Sequence, residues 1–369
     1  MLFEYIDGGS YQEVTLQRNL RDLEQLTLRQ RVMRDMSKLD LRVDALGQSL
    51  AMPLGLSPVG MAGMYARRGE VQAARAAADA GLPFCLSSVG ICSVEEVARS
   101  APAPWFQLYV LKDRGYMREL IKRAYAAGSP VLVLTVDLPV PGARYRDVRS
   151  GFRGLVGTSA WLAQAKDGLC HLRWLWDVWL HGRPHTLGSV AGFLKGKQRV
   201  SDFLEWISAN FDRSLNWEDL EWIRAEWDRP IVIKGVLEPA DAKIAKAIGA
   251  DGILVSNHGG RQLDSVRSSI SALPRIVDAV GADFTVFLDG GVRSGLDILK
   301  ALALGARACF VGRAWAYALG AGGQTAIAQL LATFRAELEV AMILTGCSSA
   351  RAATPDLIDE SSRQERCSL

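Results

Sequence analysis

The stretch PIVIKGVLEPADAKIAKAIGADGILVSN, residues 230–257, shows the unit from which the fold is built. It opens with the apolar run PIVIKGV (230–236) and closes with a second run, GILVSN (252–257). The segment between them, EPADAKIAKAIGA (238–250), is rich in helix-forming residues and carries a glycine near its end. Both runs are continuously apolar rather than alternating, so the stretch predicts two parallel strands covered by helices.

The same unit recurs along the chain. The eight short apolar runs are PLGLSP (53–58), PFCLSS (83–88), WFQLYV (105–110), VLVLTVD (131–137), PIVIKGV (230–236), GILVSN (252–257), FTVFLDG (284–290) and ACFVGR (308–313). Helix-like segments follow several of them, among them GEVQAARAAADAG (69–81), RGYMRELIKRAYAAG (114–128) and SGLDILKALALGA (294–306). Eight strand–helix units predict the α/β class and a (β/α)8 TIM barrel. A doubly wound sheet is the weaker alternative, because it would more often show a Gly-rich dinucleotide turn after its first strand.

We expect one barrel domain over residues 1–369, with an insertion at about 150–228 and a short tail at 360–369. The insertion separates the fourth and fifth strands and holds eight of the ten tryptophans, among them Trp161 and Trp206. Basic and aromatic residues are mixed at about 160–200, which is typical of contact with an anionic lipid surface. The alternative is a folded cap with its tryptophans packed inside. The end of the insertion, WEDLEWIRAEW (217–227), has helical spacing and reads as structural.

Composition excludes several classes of function. The net charge of +3 and the absence of long Lys/Arg runs argue against nucleic-acid binding. The six cysteines form no C-x-x-C pair, so we expect no metal site and a reducing, cytoplasmic compartment. The opening residues MLFEYIDGG do not resemble a secretory signal, and no apolar run is long enough to predict a membrane-spanning helix.

Polar residues close every predicted strand. In a barrel these carboxyl ends form one rim, where the active site lies. The rim residues are Ser57, Ser87, Gln107, Tyr109, Thr135, Asp137, Lys234, His258, Asp289, Gly312 and Arg313. One such residue could be an ordinary loop residue, but eight strand ends of this kind favour a site.

The motif SNHGGRQLD (256–264) is the strongest local signal. His258 stands before two glycines, where a neutral imidazole could remove a proton from a substrate hydroxyl. Arg261 offers a planar fork for a carboxylate, and Asp137 could stabilise the protonated imidazole. A loop histidine that only bonds to the backbone is the alternative interpretation.

Two glycine-containing turns follow strands seven and eight. They read DGGVRSGLD (289–297) and VGRAW (311–315). Turns at these positions form the usual phosphate site of such barrels, with donors from Gly291, Arg293, Gly312 and Arg313. They indicate a phosphorylated ligand without specifying which.

With SNHGGRQLD and DGGVRSGLD together, the sequence closely resembles the FMN-dependent L-2-hydroxy-acid oxidase and dehydrogenase family. Further similar segments are SPVGMAGMYARRGE (57–70), WFQLYVLKDRG (105–115), TVDLPVPGARYRD (135–147), VIKGVLEPADA (232–242) and NWEDLEWIR (216–224). These and the Trp-rich insertion are most similar to the respiratory, quinone-linked L-lactate dehydrogenases of bacteria.

The resemblance implies FMN as cofactor and a role for each matching residue. His258 would be the base, supported by Asp137. The implied substrate ligands are Tyr5, Tyr109, Arg144 and Arg261. The implied flavin ligands are Pro58, Val59, Gly60, Ser87, Gln107, Thr135, Lys234, Asp289, Gly290, Gly291, Arg293, Gly312 and Arg313.

The resemblance also implies a function. It is oxidation of L-lactate or a similar small L-2-hydroxy acid to the 2-oxo acid, with electrons passing to membrane quinone at the cytoplasmic face of the inner membrane. A homotetramer is implied as well. The alternatives are an oxidase, a mandelate-type dehydrogenase or, more distantly, an FMN-barrel isopentenyl diphosphate isomerase, against which Arg144 and Arg261 argue. Family members usually carry a helical segment before the motif with Tyr5, so we expect Tyr5 to have little chain to anchor it.

Overall fold

The predicted apolar runs are strands in the computed structural model, which describes residues 1–152, 168, 170–190 and 209–361. Eight of the ten described strands lie within the apolar runs that the sequence predicts as strands. The strands of the described residues are β1 (Val43–Ala45), β2 (Gln48–Leu50), β3 (Leu54–Leu56), β4 (Cys85–Ser87), β5 (Trp105–Tyr109), β6 (Leu132–Thr135), β7 (Ile231–Val236), β8 (Gly252–Val255), β9 (Thr285–Asp289) and β10 (Ala308–Val311). The two exceptions are β1 and β2, which pair as an antiparallel hairpin that was not predicted.

Strands β3 to β10 form one parallel sheet in the order β3-β10-β9-β8-β7-β6-β5-β4. The two edge strands meet through a parallel bridge between Leu56 and Phe84, and the Leu56 N–H donates to the Pro83 carbonyl at 2.9 Å. This bridge closes the sheet on itself. The predicted (β/α)8 TIM barrel is therefore confirmed.

Helices surround the barrel and cover its outer face. The helices of the described residues are α1 (Leu2–Asp7), α2 (Val14–Glu24), α3 (Gly69–Asp79), α4 (Val94–Ser100), α5 (Arg114–Ala126), α6 (Tyr145–Arg149), α7 (Leu172–Trp174), α8 (Asp219–Glu226), α9 (Pro239–Ala247), α10 (Ser269–Val280), α11 (Gly295–Ala303) and α12 (Arg313–Thr345). A π-helical turn, Leu175–Leu180, continues α7. Helix α12 is broken at Gly322 and Gly323, where the backbone leaves helical values.

Three aromatic rings fill the barrel below the polar rim. Trp105, Phe287 and Phe310 are buried, and their ring centroids lie 5.3 to 5.8 Å apart. Gly55 faces this cluster, because a Cβ there would stand 2.6 Å from Phe310 Cε1. The Trp105 indole donates to Gln48 of the β1–β2 hairpin at 3.2 Å. The hairpin and the rings therefore close the barrel beneath the site.

The tryptophans in the described part of the insertion differ in their burial. Trp227 is fully buried, and Trp217 and Trp222 pack against the core, whereas Trp176 and Trp179 are 65 % and 43 % exposed. Helix α8 confirms the helix predicted in WEDLEWIRAEW. The packing expected of a cap is therefore found at the end of the insertion and at Trp174, and not at Trp176 and Trp179.

Several predicted features lie outside the described residues: Trp161, Trp206, most of the basic positions between 160 and 200, and most of the tail. None of the helices within the described part of the chain is both long and apolar enough to span a membrane.

Candidate active site

Most of the predicted site residues line one cleft at the carboxyl ends of the strands. Those in the cleft wall are Tyr5, Pro58, Val59, Gly60, Tyr109, Arg144, Lys234, His258, Arg261, Asp289, Gly290, Gly291, Arg293, Gly312 and Arg313. They come from distant parts of the chain and meet because parallel strands end at the same rim.

Three further predicted residues, Ser87 on β4, Gln107 on β5 and Thr135 on β6, are buried. The Ser87 hydroxyl donates to Gln107 Oε1 at 2.9 Å. Among the described residues nothing bonds to Gln107 Nε2 or Thr135 Oγ1, although both atoms are buried. Buried polar atoms normally have partners, so these two atoms fit a bound group with polar ring edges, such as a flavin.

His258 is held by its backbone and by Asp137. Its φ of 59° is left-handed, a conformation uncommon for any residue but glycine. Its N–H donates to Ser256 Oγ at 3.0 Å, and Nδ1 lies 3.0 and 3.2 Å from the two oxygens of Asp137. This contact fixes the ring and leaves Nε2 for a substrate.

The electrostatics keep His258 neutral. Burial lowers the pKa of His258 below its ordinary value of 6.5, and Lys234 and Arg144 act in the same direction against Asp137. Burial alone would raise the pKa of Asp137, but contact with His258 and the charge of Lys234 hold it below its ordinary value. A neutral imidazole beside a carboxylate can accept a proton at neutral pH.

Lys234 carries a buried positive charge beside the base. Its Nζ lies 3.3 Å from Asp289 Oδ2 and donates to Ser256 Oγ at 2.9 Å. Burial opposes the charged form, but Asp289 and Asp137 raise the pKa of Lys234 above its ordinary value. Ser256 thereby joins the lysine to the backbone of His258.

Two arginines of the cleft, Arg313 and Arg261, bind backbone carbonyls of the amino-terminal segment. Arg313 uses all three nitrogens, donating to Ile6, Gly259 and Gly8 at 2.8 to 3.0 Å. Arg261 Nη1 donates to the carbonyls of Tyr5 and Gly8 at 2.7 and 2.8 Å. These arginines thus hold the amino-terminal segment against the rim, a task that the sequence did not predict for them.

The phosphate end of the cleft holds more positive charge than its neighbours balance. Burial, with the charges of Arg261 and Arg293, lowers the pKa of Arg313 to about 9. Burial also lowers the pKa of Arg293. Gly290 and Gly291 have φ values of 94° and 95°, and a Cβ at Gly291 would lie 2.4 Å from the Asn19 carbonyl. An anion would relieve this repulsion, so the region fits a phosphate.

Tyr5 is anchored although it lies so near the start of the chain. Its ring packs against Phe152 in a tilted arrangement with centroids 4.5 Å apart, and the Arg261 and Arg144 guanidinium carbons lie 4.9 and 5.7 Å from its centroid. Arg144 also lies 3.9 Å from the buried Asp147. These contacts hold the Tyr5 ring beside the two arginines.

Four residues beside His258 have roles that sequence reasoning missed. Gln262 binds the carbonyls of Asp137 and Val140 and accepts from the Gly142 N–H. Asp264 accepts from three N–H groups at the start of α2, and Asn257 pairs its amide with that of Asn19. Ser256 is the fourth. All four belong to SNHGGRQLD, so the motif marked the place, whereas only the structure shows their partners.

Tyr65 was also missed, although it lies in the segment SPVGMAGMYARRGE, which resembles the family. Burial, with the charge of Tyr5, raises its pKa well above the ordinary value. Its hydroxyl is buried near Arg144 and Arg261, and no described residue bonds to it.

A barrel with this histidine–carboxylate pair, this buried lysine and this phosphate end is a flavin-dependent oxidoreductase of the α/β-barrel type. The model of the family described as FMN-dependent dehydrogenase matches residues 1–360, and the chain belongs to that family. FMN is accordingly its cofactor.

The chain is similar to several known proteins over nearly its whole length. It is 54 % identical over 364 residues to an L-lactate dehydrogenase of Xanthomonas campestris pv. campestris, covering 98 % of this chain and 94 % of that one. It is 55 % identical over 363 residues to an L-lactate dehydrogenase of Caulobacter sp. (strain K31), covering 98 % and 93 %. A crystal structure of the monotopic membrane protein (S)-mandelate dehydrogenase matches with a TM-score of 0.89 at 34 % identity, covering 97 % and 94 %.

Replacing Arg293 by alanine should weaken FMN binding. The change removes a charged donor from the expected phosphate end, and hydrogen bonds to charged groups contribute about 1.5–3 kcal/mol, which corresponds to about a 10- to 100-fold rise in Kd. Quenching of flavin fluorescence during titration of apoprotein measures the affinity. Arg335→Ala, at an exposed pair with Glu339, is the matched control and should leave Kd unchanged. Equal Kd values for both variants would remove Arg293 from the phosphate site.

Proposed function

We propose that this protein oxidises L-lactate to pyruvate with FMN, using His258 as base. The observation that carries the proposal is the placement of the His258–Asp137 pair in the same cleft as Arg144 and Arg261. L-lactate presents one hydroxyl, which His258 can bind, and one carboxylate, which Arg144 and Arg261 can bind. The relatives named L-lactate dehydrogenase support this choice of substrate.

FMN, when bound, would supply the oxidant, accepting the hydrogen of substrate C2 together with its two electrons. Pro58, Val59 and Gly60, with Ser87, Gln107 and Thr135, would hold the flavin ring. Lys234 would place its positive charge against the ring where negative charge develops. The phosphate would lie among Gly290, Gly291, Arg293, Gly312 and Arg313, with Asp289 fixing Lys234.

The chain's own residues position the substrate and move the proton. The free edges of Arg144 and Arg261 would bind the carboxylate, and Tyr5 and Tyr109 would border it. This positioning aims the hydroxyl at Nε2 of His258, which accepts the proton. Asp137, bonded to Nδ1, then stabilises the imidazolium.

A mandelate-type reaction is the second candidate. The solved structures that match include (S)-mandelate dehydrogenase and mandelate oxidase, the latter at 37 % identity with a TM-score of 0.81. These proteins differ in name from the lactate relatives and share less sequence with this chain. An isomerase acting on diphosphates is disfavoured, because it would have no use for two arginines beside the base.

We further propose that reduced flavin passes its electrons to quinone at the membrane surface. The supporting feature is the segment 172–180, called here the aromatic segment. It exposes Leu172, Trp176, Trp179 and Leu180, with Arg173 and Arg183 exposed beside them. Apolar and cationic groups on one surface suit an anionic lipid interface.

The aromatic segment is attached next to the cleft wall at Pro58, Val59 and Gly60, called here the flavin wall. The Trp174 indole donates to the Met64 carbonyl at 2.7 Å, and Met64 follows closely on Pro58–Met61, which lines the cleft. A membrane bound at this segment would lie near the cleft. This proximity gives quinone a short route to the flavin.

Anaerobic addition of L-lactate should bleach the flavin absorbance of the protein, and a soluble quinone should restore it faster than oxygen does. In His258→Ala the FMN should remain, but reduction should slow by about 10²–10⁴-fold, the usual contribution of a positioned base. Rapid-mixing absorbance measures both rates. Reduction at the wild-type rate in this variant would mean that another group is the base. Bleaching by mandelate alone would favour the second candidate.

Activity should fall at acid pH with a midpoint below 6.5. Burial lowers the pKa of His258, so the imidazole stays neutral until the pH drops through this lowered value, and protonation then removes the base. The pH profile of kcat/KM reports the free enzyme. Asp137→Asn removes a charge that favours protonation, so it should lower both the midpoint and kcat. A midpoint above 6.5 in the wild type would contradict the assignment.

The protein should pellet with vesicles of anionic phospholipid at low salt. Trp176→Ala combined with Trp179→Ala should weaken this binding by about tenfold, since it removes exposed apolar surface from the interface. The matched control is Val340→Ala with Ile343→Ala, an exposed apolar pair on α12. A wild-type protein that stays in the supernatant would rule out the membrane contact. Equal loss in both double variants would rule out the aromatic segment as its site.

A further inference from the structure

The cleft wall beside the base is aromatic and apolar. Phe211 lines the cleft and is 6 % exposed. Its ring meets that of Tyr109 edge-on, with centroids 5.7 Å apart at 82°. Tyr109 in turn stacks on His258 at 6.4 Å. Phe211 therefore stands one ring away from the base, and Leu138, next to Asp137, lines the cleft with it.

The backbone at Phe211 is fixed to the neighbouring strand end. Phe211 forms an antiparallel bridge with Leu111, and the Lys112 N–H donates to the Asn210 carbonyl at 3.0 Å. The Asp212 N–H donates to the Val110 carbonyl at 3.2 Å, and Arg114 binds the Asp212 carboxylate at 2.6 Å. These contacts on both sides of Phe211 fix its backbone, so the ring can make room for a larger ligand only by a rotamer change that breaks its packing on Tyr109.

The proposed chemistry assigns a direction to each group on the substrate C2. The carboxylate faces Arg144 and Arg261, the hydroxyl faces His258, and the hydrogen must face the flavin. The fourth group is the side chain, and the apolar wall formed by Tyr109, Leu138 and Phe211 beside the base can receive it. A fixed aromatic ring there limits the length of what can enter.

We infer that Phe211 sets the upper size of the substrate side chain. The inference rests on the proposed function and narrows its substrate class to L-2-hydroxy acids with a short, unbranched aliphatic side chain. An apolar wall binds one added methylene only modestly better, but a fixed ring excludes a branched or aromatic group by overlap. Phe211 is thus a specificity residue and takes no part in proton transfer.

The test compares the FMN-loaded wild type with Phe211→Ala and Phe211→Leu. The substrates are L-lactate, L-2-hydroxybutyrate, L-2-hydroxyhexanoate and L-mandelate, and kcat/KM is measured for each. In the wild type we expect a steep fall beyond L-2-hydroxybutyrate. In Phe211→Ala the ratio of L-mandelate to L-lactate should rise at least about tenfold, with Phe211→Leu between the two, as expected for a pocket enlarged by several carbons.

A binding measurement separates specificity from catalysis. Oxalate and phenylacetate, which cannot be oxidised in this way, perturb the flavin spectrum when they bind, and their Kd values can be titrated. Phenylacetate should bind about tenfold more tightly to Phe211→Ala than to the wild type, while the Kd of oxalate stays within about twofold. Phe284→Leu, at the amino end of β9 and away from the cleft, is the control and should change neither value.

The outcomes distinguish a failure of the proposed function from a failure of the inference about Phe211. If no L-2-hydroxy acid reduces the wild-type flavin, the proposed function fails. If the wild type turns over L-lactate but both Phe211 variants keep its substrate ratios and its Kd for phenylacetate, the inference about Phe211 fails alone. Should Phe211→Ala not fold, Phe211→Leu retains much of the packing and decides the question by the same ratios.

Discussion

Closure of the parallel barrel is the constraint on which the site depends. The Leu56–Phe84 bridge joins the edge strands, and all eight strands then point their carboxyl ends at one rim. Polar residues from the strand ends and following loops, from Ser57 to Arg313, become neighbours only through this closure. Below the rim, the rings of Trp105, Phe287 and Phe310 fill the interior and give the site a rigid floor.

The buried charges at the rim are arranged in two ways. His258 with Asp137, and Lys234 with Asp289, are paired at 3.0 and 3.3 Å, so each burial is compensated. At the other end of the cleft, Arg313 lies near Arg261 and Arg293 and is bonded to backbone carbonyls. Burial and the charges of the other two arginines therefore lower the pKa of Arg313 to about 9. The paired end needs no ligand to be stable. The arginine end would gain stability from an anion, which is the physical basis of the phosphate site that we propose there.

The long connection between β6 and β7 serves the site from two sides. Trp174 attaches the aromatic segment beside the flavin wall, and the chain returns at Phe211 to form the wall next to Tyr109. At its end Trp227 and helix α8 pack into the body of the protein. This one connection therefore contributes to the proposed membrane contact, to the surroundings of the flavin and to the wall for the substrate side chain. Its buried part anchors its exposed part.

The sequence by itself determined the eight barrel strands, the barrel, and the placement of His258, Arg261 and the two glycine turns after the last strands, because continuous apolar runs and glycine turns are local signals. It also located Gln262 and Asp264 within a motif without showing what they bind. Only the tertiary structure decided that Arg313 binds the carbonyls of Ile6, Gly8 and Gly259, and that Phe211 stands beside Tyr109. These contacts join residues far apart in the chain, and no local pattern encodes a partner that folding alone brings near.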